Sequence, residues 1–345
     1  MSSRDTRTRE TMEGVADDDV RVELTTPGVP GGVPVAPVDI VGRTPLALAW
    51  ARLRHDRVAL GAGVLLVLLV LLAVLAPLVS HLVGHGPDQQ FRENGLDPSG
   101  LPVGPSGTFL LGTDNNGRDV LVRTLYGARI SLLIGVVSTA IALVVGTTIG
   151  LIAGFLGGRT DGVLSRVIDI FLSFPFLVTA LTLVTLNNDA DGQPRLNPVI
   201  LVMAVIAIFS WTYFARLVRG QVLSLREREF VEAARSLGAS PLRIMRVDIL
   251  PNLVAPVIVF STLQVPVNIV LEATLSFLGV GVRVPTASWG NMLSDAQASG
   301  VYTVAPWFLL GPGVALLLTV LGFNLLGDGL RDALDPRSSR TMAKG

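Results

Sequence analysis

The stretch ISLLIGVVSTAIALVVGTTIGLIAGF, residues 130–155, carries no charged side chain. A helix needs about 20 apolar residues to cross the hydrocarbon core of a bilayer, and this run is long enough. Its glycines Gly146, Gly150 and Gly154 recur at four-residue spacing. Such a row bares one helix face, so that a second helix can pack tightly against it. The stretch reads as a buried membrane span.

Five further apolar runs extend that reading in both directions, at residues 58–79, 170–186, 198–215, 253–271 and 307–326. Together they predict an all-α membrane protein with six transmembrane helices. The composition agrees. Of 345 residues, 50% are hydrophobic and 16% charged, where a soluble domain carries about 25% charge. There is no cysteine, which excludes disulfides and thiolate metal sites. The histidines, His55, His81 and His85, are too few to suggest a metal centre.

Before the first span the chain changes character. Residues 1–44 are polar and acidic, then rich in Pro, Gly and Val, which reads as a disordered tail. Thr44-Pro45 opens a short stretch through Trp50 to Arg54 that suits a helix lying in the membrane interface. The first apolar run begins near Val58, too late for a cleaved signal peptide, so a true span is expected there.

Formal net charge is zero, but arginine is segregated. Arg52, Arg54 and Arg57 precede the first span, and Arg159 and Arg166 follow the second. Seven arginines from Arg216 to Arg246 lie between the fourth and fifth, and Arg331, Arg337 and Arg340 close the chain. The positive-inside rule then makes both termini cytoplasmic. Residues 80–129 contain four arginines, but a segment of that length approaches the range that translocates regardless of charge. It is read as extracytoplasmic. Arg166 and Asp169, three residues apart at the inner edge of the third span, are expected to pair.

The loop between spans four and five is the informative one. Residues 226–252 read REREFVEAARSLGASPLRIMRVDILPN. Gly238 can take the left-handed conformation that ends a helix. Ser240 followed by Pro241 is an N-cap with proline at the first helical position, and Pro251 is expected to end the second helix. The loop is therefore a helix, a turn and a second helix of mixed charge, shaped to touch a soluble partner.

Glu232-Ala233-Ala234, then Gly238, then Leu250-Pro251 resemble, in type and spacing, the EAA loop of ABC importer permeases. Further stretches are similar to the "C" type permease of dipeptide, oligopeptide and nickel systems: LGTDNNGRDV at 111–120, YGAR at 126–129, EATLSFLG at 272–279, SWGNML at 288–293 and GDGLRDALDPR at 327–337. The resemblance covers most of residues 44–337. It implies a type I ABC importer permease fold in the cytoplasmic membrane of a bacterium. It also implies a second permease subunit forming a heterodimer, two ATP-binding subunits and an extracytoplasmic substrate-binding protein. Glu232, Ala233, Ala234, Gly238, Ser240, Pro241, Leu242, Arg243 and Pro251 would then couple to the ATPase, with the coupling helix at about residues 241–246. Many relatives carry His where this chain has Asp248, so no role passes to that position.

The implied layout is a cytoplasmic tail over 1–44, then the interfacial helix, first span and extracytoplasmic segment over 45–129. The permease domain occupies 130–328, with its coupling loop at 216–252, and a cytoplasmic tail 329–345. No G-x-x-x-x-G-K-[ST] loop occurs, so ATP and Mg would bind the partner subunits. No cofactor, nucleic acid or enzymatic activity is expected of this chain. Peptides are the expected solute, with nickel or another small solute as the alternative. A stand-alone ion-coupled carrier is the alternative of another class. It would need several ionisable groups within its spans, and Glu272 is the main one. Gln264, Asn268 and Glu272 recur every four residues along span five, around Pro266, and so share a helix face. Polar groups should face protein or water rather than lipid, so this stripe is a candidate wall of the translocation path.

The topology is testable by thiol labelling in the cysteine-free chain. A membrane-impermeant reagent added outside is expected to label a cysteine at Asn188 or Asn291 and to miss one at Ser240. The reverse pattern would invert the orientation.

Overall fold

The computed structural model describes residues 50–188 and 193–334. The acidic tail, the opening of the interfacial helix and the end of the C-terminal tail lie outside these residues. Described residues form helices and turns, with three isolated antiparallel bridges.

The first span is α1 (Arg57–Val74), followed after Leu75 by a short α2 (Ala76–Val83). Asp56 caps α1 by accepting from the Val58 and Ala59 amides at 2.9 and 3.1 Å. The second span, α3 (Val120–Leu156), starts well before the charge-free run. Asp119 caps it, accepting from the Val122 amide at 3.1 Å. Its first turns are sheltered by the segment that follows α2, so they tolerate polar side chains that a bilayer would not.

The third span is broken. Helices α4 (Gly158–Ser173) and α5 (Phe176–Leu186) meet at an 81° bend. Pro175 is the cause. A proline disfavours helical geometry in the residue before it, and Phe174 is extended, at φ −76° and ψ 130°. The expected Arg166–Asp169 pair is not formed. Asp169 instead meets Arg216 at 3.1 Å, and Asp161 takes a two-pronged contact from Arg219. Both arginines belong to α6 (Pro198–Leu225), which runs past the apolar stretch to reach them.

Beyond α6 come α7 (Glu229–Ser236), a single turn α8 (Pro241–Arg243), and α9 (Leu250–Phe277). Pro251 does not end a helix, contrary to the sequence reading. A widened π-helical turn, Ile244–Ile249, joins α8 to α9, and residues 241–277 run as one helix. A proline ring clashes with the carbonyl four residues before it. A wider turn just ahead of Pro251 relieves that clash, and the Leu250 amide bonds five residues back, to the Met245 carbonyl. Two helices complete the chain: α10 (Trp289–Ala298) and the last span, α11 (Pro306–Leu334).

The glycine row does what its spacing suggests. On α3, an added Cβ at Gly150 would lie 2.5 Å from the Ala215 carbonyl oxygen of α6. One at Gly154 would lie 2.8 Å from Val222 Cβ, and one at Gly146 would strike the backbone of Trp211. Backbones thus touch along three turns. Outward faces are apolar and exposed, as in Val64, Leu68, Leu186 and Leu317, which suits lipid. One labelling site changes. Asn291 is buried and closes a capping box with Ser288, so exposed Ser99 is the better outside position.

Gly150→Val is expected to destabilise the protein by about 3 kcal/mol, by overpacking a backbone contact. Gly220→Ala, with no atom within 4 Å of the new Cβ inside α6, is expected instead to stabilise by about 0.5–1 kcal/mol. Unfolding in detergent, followed by fluorescence, distinguishes them.

Candidate functional site

The loop after α6 is built to be held on one side and open on the other. Val231 of α7 and Ile244, Met245 and Ile249 of the π turn are buried together with Val218, Val222, Leu253 and Phe155 of the spans. Ala234 packs against the same cluster, and Arg235 lies over the Phe155 ring, 5.7 Å from its centroid. The turn is closed by its backbone. Gly238 sits at φ +79° with open space around its Cα, so glycine is required there by conformation rather than by crowding. Its amide donates to the Arg235 carbonyl at 2.9 Å, and the Ala239 amide to that of Ala234 at 3.0 Å. Ser240 then restarts the helix and accepts from the Arg243 amide, with Pro241 at the first position.

The outer side presents Glu232, Ala233, Ser240, Pro241, Leu242 and Arg243 to solvent. Its apolar members are conspicuous. Leu237 is 88% exposed and Leu242 59%, next to charged Arg235 and Arg243. A leucine this exposed beside charged groups, away from the lipid-facing runs, marks a contact surface. Pro251, grouped with these residues by sequence, lies behind them at the start of α9. Asp248 is half-buried, and its carbonyl accepts from Asn252 at 2.7 Å.

The span-five stripe is a different matter. Asn268 and Glu272 have no exposed surface, and Gln264 has 7%. Asn268 Nδ2 donates to Thr139 Oγ1 of α3 at 2.9 Å. Its Oδ1 accepts from Ser210 of α6 at 2.9 Å and from Gln264 at 3.2 Å. Glu272 accepts from Ser131 of α3 and Ser276 of α9, both at 2.7 Å. Those serines in turn accept from the backbone amides of Trp289 and Val282. Asn268 and Glu272 therefore clasp helices within this chain. A polar row satisfied from inside is chemically as good as one facing water, and spacing alone does not separate the two. Of the three, Gln264 lines a cavity, beside the bend of the third span.

A second polar cluster, with no role assigned from sequence, lies in the LGTDNNGRDV segment. Arg118 meets Asp114 at 2.6 Å and Asp295 of α10 at 3.5 Å. Arg123, fully buried, reaches Asp88 at 3.2 Å and the Pro87 carbonyl at 3.0 Å. Burial pushes the Asp295 carboxyl up, against the pull of the two arginine charges. Its signal in the sequence was the alternation of charge along Asp114, Arg118, Asp119 and Arg123. Among the described residues, no three His, Cys, Asp or Glu side chains converge as a metal site would require.

Residues 146–340 match the family model for the inner membrane component of binding-protein-dependent transport systems, and residues 44–98 match that for the N-terminal transmembrane domain of oligopeptide transport permease C. The chain belongs to this family of transport permeases. It is thus a multi-pass inner-membrane ABC importer permease and a transport subunit rather than an enzyme. The oligopeptide transport permease OppC of Escherichia coli K12 is 42% identical to this permease over 87% of this chain and 94% of that one. The di/tripeptide permease DppC of Pseudomonas aeruginosa UCBPP-PA14 is 41% identical, over 88% and 96%. The glutathione permease GsiD of Escherichia coli O6:K15:H31 is 40% identical, over 86% and 91%. An inward-facing structure of the MetNI methionine ABC transporter superposes on the permease at a TM-score of 0.51 and 20% identity. That superposition covers 63% of this chain and 96% of that one, and shares the type I fold.

Asn268→Leu is expected to lower stability by about 1–2 kcal/mol, since interhelical hydrogen bonds in membranes average about 0.6 kcal/mol and two are lost, along with the Gln264 bond within α9. Detergent unfolding measures this directly. An unchanged midpoint would contradict the clasp.

Proposed function

We propose that this permease carries peptides across the cytoplasmic membrane as one half of a heterodimeric channel, driven by two separate ATP-binding subunits. An extracytoplasmic binding protein would deliver the solute, and both termini would face the cytoplasm. The observation that carries the ATP coupling is the outer face of the helix–turn–helix, with Leu237 and Leu242 exposed between charged side chains. That face needs a soluble partner, since leucines so placed are otherwise an aggregation liability.

The buried side of the loop supports the same reading. Val231 and Ile249, both without exposed surface, tie it to Val222 and Leu253 of two spans. A push on Leu242 therefore moves α6 and α9 rather than a slack loop. Peptides as cargo rest on the relatives, which are named for oligopeptide, di/tripeptide and glutathione transport. Arginine at the loop end of the spans supports the orientation.

Gly238→Val forces a β-branched residue into φ > 0, which strongly disfavours the turn. Membrane insertion should survive, while peptide-stimulated ATPase activity of the reconstituted complex should fall at least about tenfold, the effect of losing about 1.4 kcal/mol at the contact. Leu242→Asp should weaken ATPase co-purification in the same way. If both variants transport peptide normally, this loop is not the coupling element.

A further inference from the structure

At the bend of the third span, a cavity of about 370 Å³ opens among Phe174, Phe176, Phe209, Tyr213, Gln264 and Val267. Gln264 and Tyr213 each lie midway along their helices, α9 and α6, so the cavity sits at membrane depth. Its volume falls within the range of about 300–1,000 Å³ usual for small-molecule sites. Two kinds of polar group there have no partner in the chain. Gln264 is more than nine-tenths buried, and its Nε2 is spent on Asn268, which leaves the Oε1 acceptor unused. The break in the helix supplies a donor. No side chain caps α5, and its first backbone bond runs from the Thr179 amide to the Pro175 carbonyl. The Phe176 amide, on a residue that lines the cavity, precedes that bond and is not used by it.

Resting on the peptide-importer reading, we infer that this groove is a docking subsite for the backbone of an extended peptide in transit. A peptide unit offers one N–H and one C=O, which match the Gln264 acceptor and the free Phe176 amide. The aromatic walls accept varied side chains, and Tyr213, 51% exposed, adds a hydroxyl. No Asp, Glu, Lys or Arg lines the groove, so side-chain charge is neither attracted nor repelled. Other occupants fit less well. Lipid tails cannot satisfy an open backbone, which at membrane depth occurs only within protein or beside a water-filled cavity. A helix of the partner permease has already used its own amides and carbonyls, and would leave the same groups unpaired.

The test uses the complete importer in lipid vesicles, with this chain carrying Tyr213→Cys, its only cysteine. A water-soluble thiol reagent is applied, and labelling of this chain is read by mass spectrometry with and without trialanine. Labelling is expected, with trialanine slowing it at least about fivefold. Ile200→Cys, on the outward face of α6, should show no protection. In parallel, Gln264→Leu should raise the KM for trialanine about fivefold to tenfold, the effect of one lost hydrogen bond. Labelling without protection overturns the subsite. Labelling only by a lipid-soluble reagent assigns the groove to lipid, and a cysteine that cross-links to the second permease assigns it to the subunit interface. Each of these results also rejects the proposal. A wild-type importer that moves no peptide instead defeats the peptide reading itself, and is seen before any variant is compared.

Discussion

Asn268 is the point on which the membrane part of this permease depends. Its one carboxamide joins Thr139 of α3, Ser210 of α6 and Gln264 of its own helix. Hydrocarbon offers no alternative partner to any of these groups. Apolar packing alone does not fix how membrane helices are arranged, because lipid is as apolar as leucine. Close backbone contact and polar bonds must do so. The permease uses both on the same helix pair. Glycines Gly146, Gly150 and Gly154 let α3 lie against α6, and the Asn268 hub ties that pair to α9. Glu272 repeats the arrangement one turn further on, through Ser131 and Ser276, and extends it to α10 through the Trp289 amide.

Prolines then decide where this rigid frame gives way. Pro175 and Pro251 meet the same constraint, a missing donor and a ring that crowds the backbone before it. Their outcomes differ with what surrounds them. Pro175 falls between the charged helix α4, tied by Asp161 and Asp169 to α6, and the apolar α5, and the chain turns by 81° there. Pro251 falls beside a buried cluster that holds Ile244, Met245 and Ile249. The chain cannot swing away, and it widens by one residue instead. Both sites leave irregular backbone, one at a cavity and one behind the exposed loop.

These outcomes mark how far the sequence could be read. Six apolar runs, the glycine row and the turn at Gly238 each have a local cause, and local causes show in one stretch of chain. The EAA-like spacing placed the loop on the same footing. The break at Pro175 was open to sequence reasoning, since proline inside an apolar run is a plain signal, but its neighbours decide between a kink and a break. The partners of Asp169 and Asn268 were not readable. Arg216 lies 47 positions from Asp169, and Thr139 lies 129 from Asn268. A polar stripe at helical spacing says that partners exist and not whether they are solute, water or another helix. The spacing alone therefore did not show that Asn268 and Glu272 spend their side chains on neighbouring helices, while Gln264 also lines a cavity.

One geometric consequence joins the two ends of the permease. Residues 241–277 form a single helix, so Leu242 on the exposed loop and Gln264 at the cavity ride on the same rod. At 1.5 Å per residue they are separated by roughly 33 Å. Close-packed interiors transmit displacement rather than absorb it, and the buried cluster around Ile249 prevents the rod from moving independently of α6. Phe209 and Tyr213, which face Gln264 across the cavity, belong to α6. The opposite wall, Phe174 and Phe176, belongs to the broken span, which packs on α6 through Ile168, Phe171, Phe176 and Ala180 and meets it in the Asp169–Arg216 and Asp161–Arg219 pairs. Movement begun at the loop therefore carries α6 and α9 as one body, and with them the cavity walls that Phe209, Tyr213 and Gln264 supply.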